Sequence, residues 1–269
     1  MLLQEKLINI IKEKCEKDPR VSACMMYGSF TKDEGDKYSD VEFYIFLKTA
    51  EIEEFQSDDW IRGVAPYDLH FINEFGSEVV VFSNLIRGEF HFQSESEIEV
   101  IKTFKETGVF PDTESMFIYD VTGRLEACLD YLQGEGPDRL TNNNVNFAFN
   151  NFVNTWIMGI NVLKRGEAAR SLECLTYVQK YVLQLIRVHE KSVERWLNAT
   201  KNLEDDVSEK AYSEYTSITA KLDKEELYHA YSNALTVVER LECLLADHYK
   251  FDIDSAFLKK LHAYLTNRI

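Results

Sequence analysis

The spacing of apolar residues divides the chain into a mixed first half and a helical second half. Residues 2–17 carry apolar side chains at three- and four-residue intervals with Lys and Glu between them, a pattern typical of an amphipathic helix. From Val21 the apolar runs become short and are separated by polar or Gly-containing turns. This pattern predicts β-strands over residues 21–27, 41–47, 67–73, 78–82 and 87–92, the last three as an antiparallel meander.

A Gly/Pro-rich segment, Gly134 to Pro137, marks the boundary between the two halves. Before it, residues 116–119 predict one more short strand and residues 124–132 a helix. After it only helical periodicity remains, with Thr141 as the expected N-cap of the first helix. The predicted helices cover residues 141–165, 167–190, 208–222, 224–248 and 255–266. We therefore predict an α+β protein with an N-terminal mixed-sheet domain, residues 1–135, and a C-terminal α-helical bundle, residues 136–269.

The charge of the chain argues against nucleic acid as a partner. The 269 residues include 30 Lys and Arg against 46 Asp and Glu, a formal net charge of −16, which would repel a phosphate backbone.

The five cysteines are scattered and odd in number, which fits neither a disulfide framework nor a zinc site. No run approaches the roughly 18 apolar residues of a membrane span, and the N-terminus lacks a signal-peptide pattern. We expect a cytoplasmic protein with no membrane partner.

Two acidic residues on one predicted strand are the first sign of chemistry. A strand ends at Gly28-Ser29, and after a ten-residue gap the next strand carries Asp40 and Glu42 with apolar residues between and after them. Since side chains alternate along a strand, both acids leave the same face of the sheet, about 7 Å apart. Carboxylates held so close favour a divalent cation such as Mg²⁺. Gly28 and the Ser29 hydroxyl are suited to close approach by a phosphate.

A third acid, Glu89, lies on the predicted strand over residues 87–92 in a similar apolar context. Metal-assisted phosphoryl transfer uses carboxylates both to hold the metal and to deprotonate the attacking hydroxyl, and Asp40, Glu42 and Glu89 together supply that set. An Asp-x-Glu pair alone is more often a solvated face, so the prediction depends on the Gly-Ser step upstream. His91 shares the face of Glu89 and is expected to orient neighbours rather than act as a base.

The Gly-Ser step, the ten-residue gap and the Asp-x-Glu pair resemble the signature of the polymerase-β-like nucleotidyltransferase superfamily. Four longer stretches resemble the lincosamide nucleotidyltransferases of the B type. These stretches are CMMYGSFTK, YSDVEFYIFLK, NLIRGEFHF and WIMGINVLKRGEAARSLE. Many superfamily members carry Arg-Gly after Gly-Ser and use Asp for both acids. Here the loop lacks that Arg-Gly and the second acid is Glu42, a feature the B-type enzymes share.

The resemblance implies an N-terminal polymerase-β-like nucleotidyltransferase domain and an active site in the cleft between the two domains. It implies transfer of AMP from ATP to a lincosamide hydroxyl by in-line displacement, with Mg²⁺ as cofactor and pyrophosphate as product, in a homodimeric antibiotic-resistance enzyme. Asp40 and Glu42 would bind Mg²⁺, and the triphosphate would lie against Gly28 and Ser29. Glu89 matches the third acid of the family, the candidate general base and a further metal ligand.

Basic and aromatic residues outside this set are weaker candidates. Lys164, Arg165 and Arg170 surround the expected end of the first bundle helix and are hypothetical contacts to the nucleotide or the acceptor. Lys32 and Arg87 are hypothetical triphosphate contacts. Tyr44, on the face of Asp40 and Glu42, and Trp156 are candidates to line a drug pocket, although a tryptophan in a helical bundle is more often a core residue.

Two rival functions remain open at this point. An aminoglycoside O-adenylyltransferase would keep the same chemistry and would also suit an acidic surface. A non-catalytic nucleotide-binding regulator would keep the fold without turnover, although three convergent acids argue against it. The acceptor pocket discriminates between the two drugs, because polycationic aminosugars require several acids around them and a lincosamide requires aromatic and aliphatic walls.

Overall fold

A computed structural model of the chain describes residues 1–253 and 255–266. The chain divides into two compact units, Met1–Pro137 and Asp138–Ile269. The first unit combines a sheet with helices and the second is helical, so the predicted α+β class with a mixed N-terminal sheet is confirmed.

The first unit is built on a six-stranded mixed sheet. Its strands are β1 (Val21–Tyr27), β2 (Val41–Leu47), β3 (Tyr67–Ile72), β4 (Glu78–Phe82), β5 (Arg87–Ser94) and β6 (Phe117–Asp120), and their order across the sheet is β3-β4-β5-β2-β1-β6. The expected meander is present, because β4 pairs antiparallel with both β3 and β5. The pairing of β5 with β2 is parallel. This parallel pair brings Glu89 next to the strand that carries Glu42.

Helices cover both faces of this sheet. They are α1 (Leu3–Lys17), α2 (Ser57–Arg62) and α3 (Arg124–Leu132), with 3-10 segments at Ser29–Lys32, Glu95–Glu106 and Glu114–Met116. On one face, Phe43 of β2 packs in a core with Ile11 of α1 and Trp60 of α2. On the other, Phe46 packs in a core with Ile98 and with Leu125 of α3. Because side chains alternate along β2, Glu42 lies on the Phe46 face, toward the N-terminal end of the strand.

The second unit consists of helices around one apolar core. They are α4 (Asn142–Lys164), α5 (Ala168–Glu190), α6 (Leu203–Asp206), α7 (Glu209–Thr216), α8 (Lys224–Leu245) and α9 (Ser255–Thr266), with a 3-10 turn at Trp196–Asn198. Thr141 caps α4 as expected, since its Oγ1 accepts a hydrogen bond from the Asn144 amide at 3.2 Å. Buried Phe152, Leu183 and Leu235 lie in the core between α4, α5 and α8.

The predicted helix over residues 208–222 is too long. The structure ends α7 at Thr216 and starts α8 only after Asp223, whose side chain accepts hydrogen bonds from the amides of Glu225 and Glu226. The segment between them is a turn because a new N-cap at Asp223 interrupts the periodic pattern.

Among residues 1–253 and 255–266, helices are either too short or too polar to cross a membrane. The five cysteines are free thiols, and all except Cys243 are buried.

Candidate active site

The register of the central strands brings the predicted acids together. Tyr27 of β1 pairs with Glu42 of β2, and Glu42 pairs with Glu89 of β5, so the three side chains form one row on one face of the sheet. Neighbouring strands are about 4.8 Å apart. Asp40 directly precedes β2 and lies one step along that face beside Arg87, whose Nη1 is 2.5 Å from Asp40 Oδ2.

Gly28 is required by the position of Glu42. Its φ of +86° is in a region that L side chains rarely adopt, and a Cβ built on it would overlap the Glu42 carboxylate oxygen Oε2. The two neighbouring chain segments are therefore packed closely at the point where β1 ends. This close approach explains why a glycine precedes Ser29. The sequence alone predicted only that Gly28 leaves room for a phosphate.

Ser29 begins the 3-10 segment Ser29–Lys32, and the turn is held by local hydrogen bonds. Thr31 Oγ1 donates to the Gly28 carbonyl at 2.8 Å, and the Glu34 amide donates to the Ser29 carbonyl at 3.1 Å. Lys32 lies with its Nζ 5.6 Å from the ring centroid of Phe110. The roles of Ser29 and Lys32 in binding phosphate stay predictions.

Arg87 bridges two of the three acids. Besides the ion pair with Asp40, its Nη2 donates to Glu89 Oε2 at 2.5 Å. Burial opposes the charge of the guanidinium, but the hydrogen bonds to Glu89 and Asp40 outweigh it and raise the pKa of Arg87. Burial likewise works to raise the pKa of Glu89, and the hydrogen bonds from Arg87 and Ser77 outweigh it, so the pKa of Glu89 is lowered. Glu89 is therefore ionised at neutral pH.

An aromatic cluster supports the Glu89 side of the row. His91 stacks on Tyr44 with ring centroids 4.2 Å apart and nearly parallel planes, and its Nε2 lies 2.9 Å from the Tyr27 hydroxyl. Burial raises the pKa of Tyr27 well above its usual range, with the charges of Glu42 and Glu89 adding to the effect. Burial lowers the pKa of His91 against the opposing influence of Glu89. The Tyr27 hydroxyl and His91 Nε2 thus share a hydrogen bond beside Glu89, whose Oε1 lies 3.5 Å from the same Nε2.

The donor set has the chemistry of a hard-cation site. Asp40, Glu42 and Glu89 offer carboxylate oxygens, which Mg²⁺ prefers, and the Glu42 carboxylate lies directly against Gly28, where a Cβ would occupy its place. Over the described ranges, no group of three or more His, Cys, Asp or Glu side chains is arranged to hold a metal ion. In this arrangement the positive charge between Asp40 and Glu89 is that of Arg87.

An apolar strip continues the acidic row toward the sheet edge. Val79 of β4 is the register partner of Glu89 and Val81 is the partner of Arg87, so both share the face of the acids. On β3, Phe71 pairs with Val79 and Leu69 with Val81. We call Leu69, Phe71, Val79 and Val81 the apolar strip. Leu69 and Phe71 are large apolar side chains, 49% and 45% exposed, on the face of the candidate catalytic acids and two strands away from Glu89.

The candidates from the second unit have local partners. Lys164 Nζ donates to the Tyr264 carbonyl at 2.6 Å and lies over its ring, and Arg170 forms an exposed ion pair with Glu167 at 3.5 Å. Arg165 is the C-cap of α4. Contacts of these three basic residues with the nucleotide or the acceptor stay predictions.

The expectation that Trp156 lines a drug pocket is wrong. Its side chain is 0% exposed, and its Nε1 donates to the Tyr231 carbonyl at 2.8 Å within the core of the second unit. An indole buried with its one donor satisfied is a core residue. Tyr44 does lie on the face of Asp40 and Glu42, half-buried against His91 and Phe104.

Sequence reasoning missed Tyr27 and Ser77 as neighbours of the acids, and it missed the ion pairs of Arg87. Tyr27 directly precedes Gly28, and that adjacency was the available signal. The contacts of Arg87 follow from the parallel pairing of β2 with β5, which local patterns do not specify.

Comparison with known proteins gives a family match over part of the chain and distant likenesses to solved structures. Residues 141–264 match the sequence model of the lincosamide nucleotidyltransferase-like C-terminal domain. No curated protein matches the chain. A crystal structure of an aminoglycoside 6-adenyltransferase from Bacillus subtilis is similar at 15% identity and a TM-score of 0.44, over 98% of each chain. A nucleotidyltransferase-like protein from Exiguobacterium sibiricum is similar at 13% identity and a TM-score of 0.37, over 91% of this chain and 79% of that one. The family match lies within the second unit.

Proposed function

We propose that the protein transfers AMP from ATP to a hydroxyl group of a lincosamide antibiotic and releases pyrophosphate, and the match of residues 141–264 to the lincosamide nucleotidyltransferase-like C-terminal domain supports this proposal. The first unit is then the nucleotidyltransferase domain and the second its helical partner domain. The observation that carries the proposal is the row of Glu42 and Glu89 on adjacent strands, with Asp40 one step away on the same face and Gly28 packed against Glu42.

The acids divide the work of the transfer. Asp40 and Glu42 would hold Mg²⁺, which when bound neutralises charge on the triphosphate. Glu89 is ionised and accepts the proton of the acceptor hydroxyl. The hydroxyl oxygen then forms a bond to the α-phosphorus while the bond from that phosphorus to the bridging oxygen of the β-phosphate breaks. Pyrophosphate leaves with that oxygen, and the proton remains on Glu89 until solvent removes it.

Residues around the acids fix their geometry. Gly28 leaves room for the Glu42 carboxylate, and the turn at Ser29 offers a hydroxyl beside the proposed triphosphate position. Ser77 hydrogen bonds to Glu89 and helps to orient its carboxylate before substrate arrives. Orientation of this kind removes entropy from the barrier, because the reacting groups need not be ordered during the reaction.

The apolar strip favours a lincosamide over an aminoglycoside as acceptor. A lincosamide combines one basic amine with an alkyl tail, and exposed Leu69 and Phe71 offer it an apolar surface on the Glu89 face, two strands from that acid. An aminoglycoside carries several ammonium groups and needs acids in their place, and the four positions of the strip carry none. The net charge of −16 supports an aminoglycoside only through a general attraction for cations.

Intact-mass spectrometry of candidate acceptors tests the proposal. Lincomycin, clindamycin and kanamycin are incubated with the protein, ATP and MgCl₂, with Asp40→Asn as the inactive control. We expect lincomycin and clindamycin to gain one adenylyl group with the wild-type protein and not with Asp40→Asn. A gain on kanamycin alone would assign the aminoglycoside function instead. Nucleotide binding without a gain on any acceptor would assign the regulator.

Oligomeric state is a separate prediction. The resemblance to B-type enzymes implies a homodimer, and light scattering coupled to size-exclusion chromatography checks it. We expect about twice the chain mass of 31.3 kDa. A monomer would contradict the predicted homodimer without affecting the proposed transfer.

A further inference from the structure

One guanidinium holds two of the three candidate metal ligands. The two terminal nitrogens of Arg87 donate to Asp40 Oδ2 and Glu89 Oε2, each at 2.5 Å. The two acids belong to different parts of the sheet, one preceding β2 and one within β5. We call these three residues the Arg87 bridge. It is partly accessible, since the side chain of Arg87 is 39% exposed.

The Arg87 bridge reduces the repulsion between the carboxylates when no metal is bound. Carboxylates on adjacent strands repel one another, and the repulsion is strong where water is partly excluded. The guanidinium neutralises that charge and satisfies one oxygen of each acid with a strong, charge-assisted hydrogen bond. In the free protein Arg87 thus neutralises carboxylate charge, which is the role that the proposed function gives to a divalent cation.

The guanidinium and a metal ion compete for the Asp40 carboxylate. A cation held by Asp40 would lie next to the oxygen that Arg87 now contacts, and the two positive charges would repel at such short range. Arg87 is the first residue of β5 and has a long, flexible side chain, so the guanidinium can move while the strand stays in place. Its planar donors suit phosphate as well as they suit carboxylate.

Resting on the proposed function, we propose that Arg87 is an exchangeable counter-ion. It holds Asp40 and Glu89 in the free protein, leaves them when metal and nucleotide bind, and then contacts the phosphates. Arg87 therefore makes the site select the metal–nucleotide complex over the metal alone, because bare metal must displace Arg87 without offering it a new partner.

Metal binding in the absence of nucleotide tests the first half of this proposal. The probe is Mn²⁺ followed by electron paramagnetic resonance, with wild-type protein, Arg87→Ala and Arg87→Gln. Arg87→Gln keeps hydrogen-bond donors while it removes the charge, and it serves if Arg87→Ala does not fold. Arg62→Ala is the matched control, since Arg62 pairs with Asp58 in the same unit but outside the site.

We expect both Arg87 variants to bind Mn²⁺ about tenfold more tightly than the wild type, because a competing positive charge has gone, and Arg62→Ala to bind like the wild type. A purely structural role for Arg87 predicts the reverse, since loss of the bridge would disorder the acids. Equal or weaker Mn²⁺ binding by the variants, or binding by none of the proteins, would overturn the proposal.

Nucleotide affinity tests the second half. With Mg²⁺ present, we expect Arg87→Gln to bind ATP about tenfold more weakly than the wild type, because a phosphate contact is lost. Tighter binding of Mn²⁺ alone together with weaker binding of Mg-ATP is the signature of exchange, and unchanged ATP affinity would overturn it. These measurements distinguish failure of the exchange from failure of the proposed function. If the wild-type protein modifies lincosamides but its Arg87 variants show no such signature, the exchange alone is refuted. An exchange signature in a protein that modifies no acceptor refutes the transfer alone.

Discussion

Glu42 and Glu89 are register partners on the parallel strands β2 and β5, so their carboxylates leave the same face of the sheet side by side. Two acids in this position are unfavourable unless a positive charge lies close to them. Arg87 supplies that charge to Glu89 and Asp40 in the structure described here. The pairing of Glu42 with Glu89 is the basis for the predictions that follow.

Replacement of Gly28 should disable the site through the position of Glu42. In Gly28→Ala the new Cβ overlaps the Glu42 carboxylate and sits at a φ of +86°, so we expect a loss of about 2 to 4 kcal/mol in unfolding free energy and loss of AMP transfer. Urea denaturation and the mass assay measure the two effects.

Gly76→Ala is the matched control for this variant. Gly76 has a similar φ of +81°, but a Cβ there meets nothing within 4 Å, so Gly76→Ala carries the backbone strain without the overlap. We expect it to lose about 1 kcal/mol and to keep full transfer activity. Equal effects of the two substitutions would show that Glu42 does not depend on Gly28.

The stability of the metal-free protein should depend on pH through Glu89. The pKa of this carboxyl is lowered in the folded protein from an ordinary value of 4.5, although burial opposes the hydrogen bonds from Arg87 and Ser77 that lower it. A lowered pKa contributes stability that is present above the unfolded pKa and is lost as the pH falls through the folded pKa. We therefore expect wild-type unfolding free energy to fall more steeply than that of Glu89→Gln between about pH 5 and pH 3.

Urea denaturation of the two proteins at a series of pH values measures this difference. The neutral amide of Glu89→Gln keeps the size of the side chain and can still accept a hydrogen bond from Arg87, so the comparison isolates the titrating charge. Parallel curves over this pH range would show that Glu89 gains no stability from its ionised form.

The apolar strip should determine affinity for the acceptor. The substitution Phe71→Ser removes an exposed aromatic surface on the Glu89 face of the sheet. We expect the KM for clindamycin to rise about tenfold and kcat to change little, because the contact is made equally in the ground and transition states. The KM for ATP should stay the same.

Ile72→Ser is the matched control for the strip. Ile72 is the next residue on β3, is 68% exposed and points to the opposite face of the sheet. It should leave both kinetic constants unchanged. A clindamycin KM that responds equally to the two substitutions, or to neither, would remove the strip from the acceptor site.

Local patterns predicted most of this arrangement. The alternation along residues 40–43 placed Asp40 and Glu42 on one face, and the short apolar runs predicted all six strands to within two residues at each end. The 3-10 segment Glu95–Glu106 was missed, although Ile98, Ile101 and Phe104 recur at the three-residue interval of a 3-10 helix and pack on one core.

Contacts between distant segments were the part that local patterns could not supply. The parallel register of β2 and β5 is fixed by the packing of Phe43 against Phe90 and by the cores on the two faces, and not by the residues of either strand alone. The bridge from Arg87 to Asp40 and Glu89 follows from that register. For Trp156 the pattern favoured a core position and left a pocket open, and its complete burial decides for the core.

The most direct test of the account is the rate at which the radiolabelled adenylyl group of ATP appears on clindamycin, measured in a single turnover with wild-type protein and Glu89→Gln. We expect label on the drug with the wild type, and a rate at least about 100-fold lower for Glu89→Gln at saturating ATP, because the proton acceptor has gone. Label transferred by Glu89→Gln at the wild-type rate, or no label on the drug with the wild-type protein, would contradict the account.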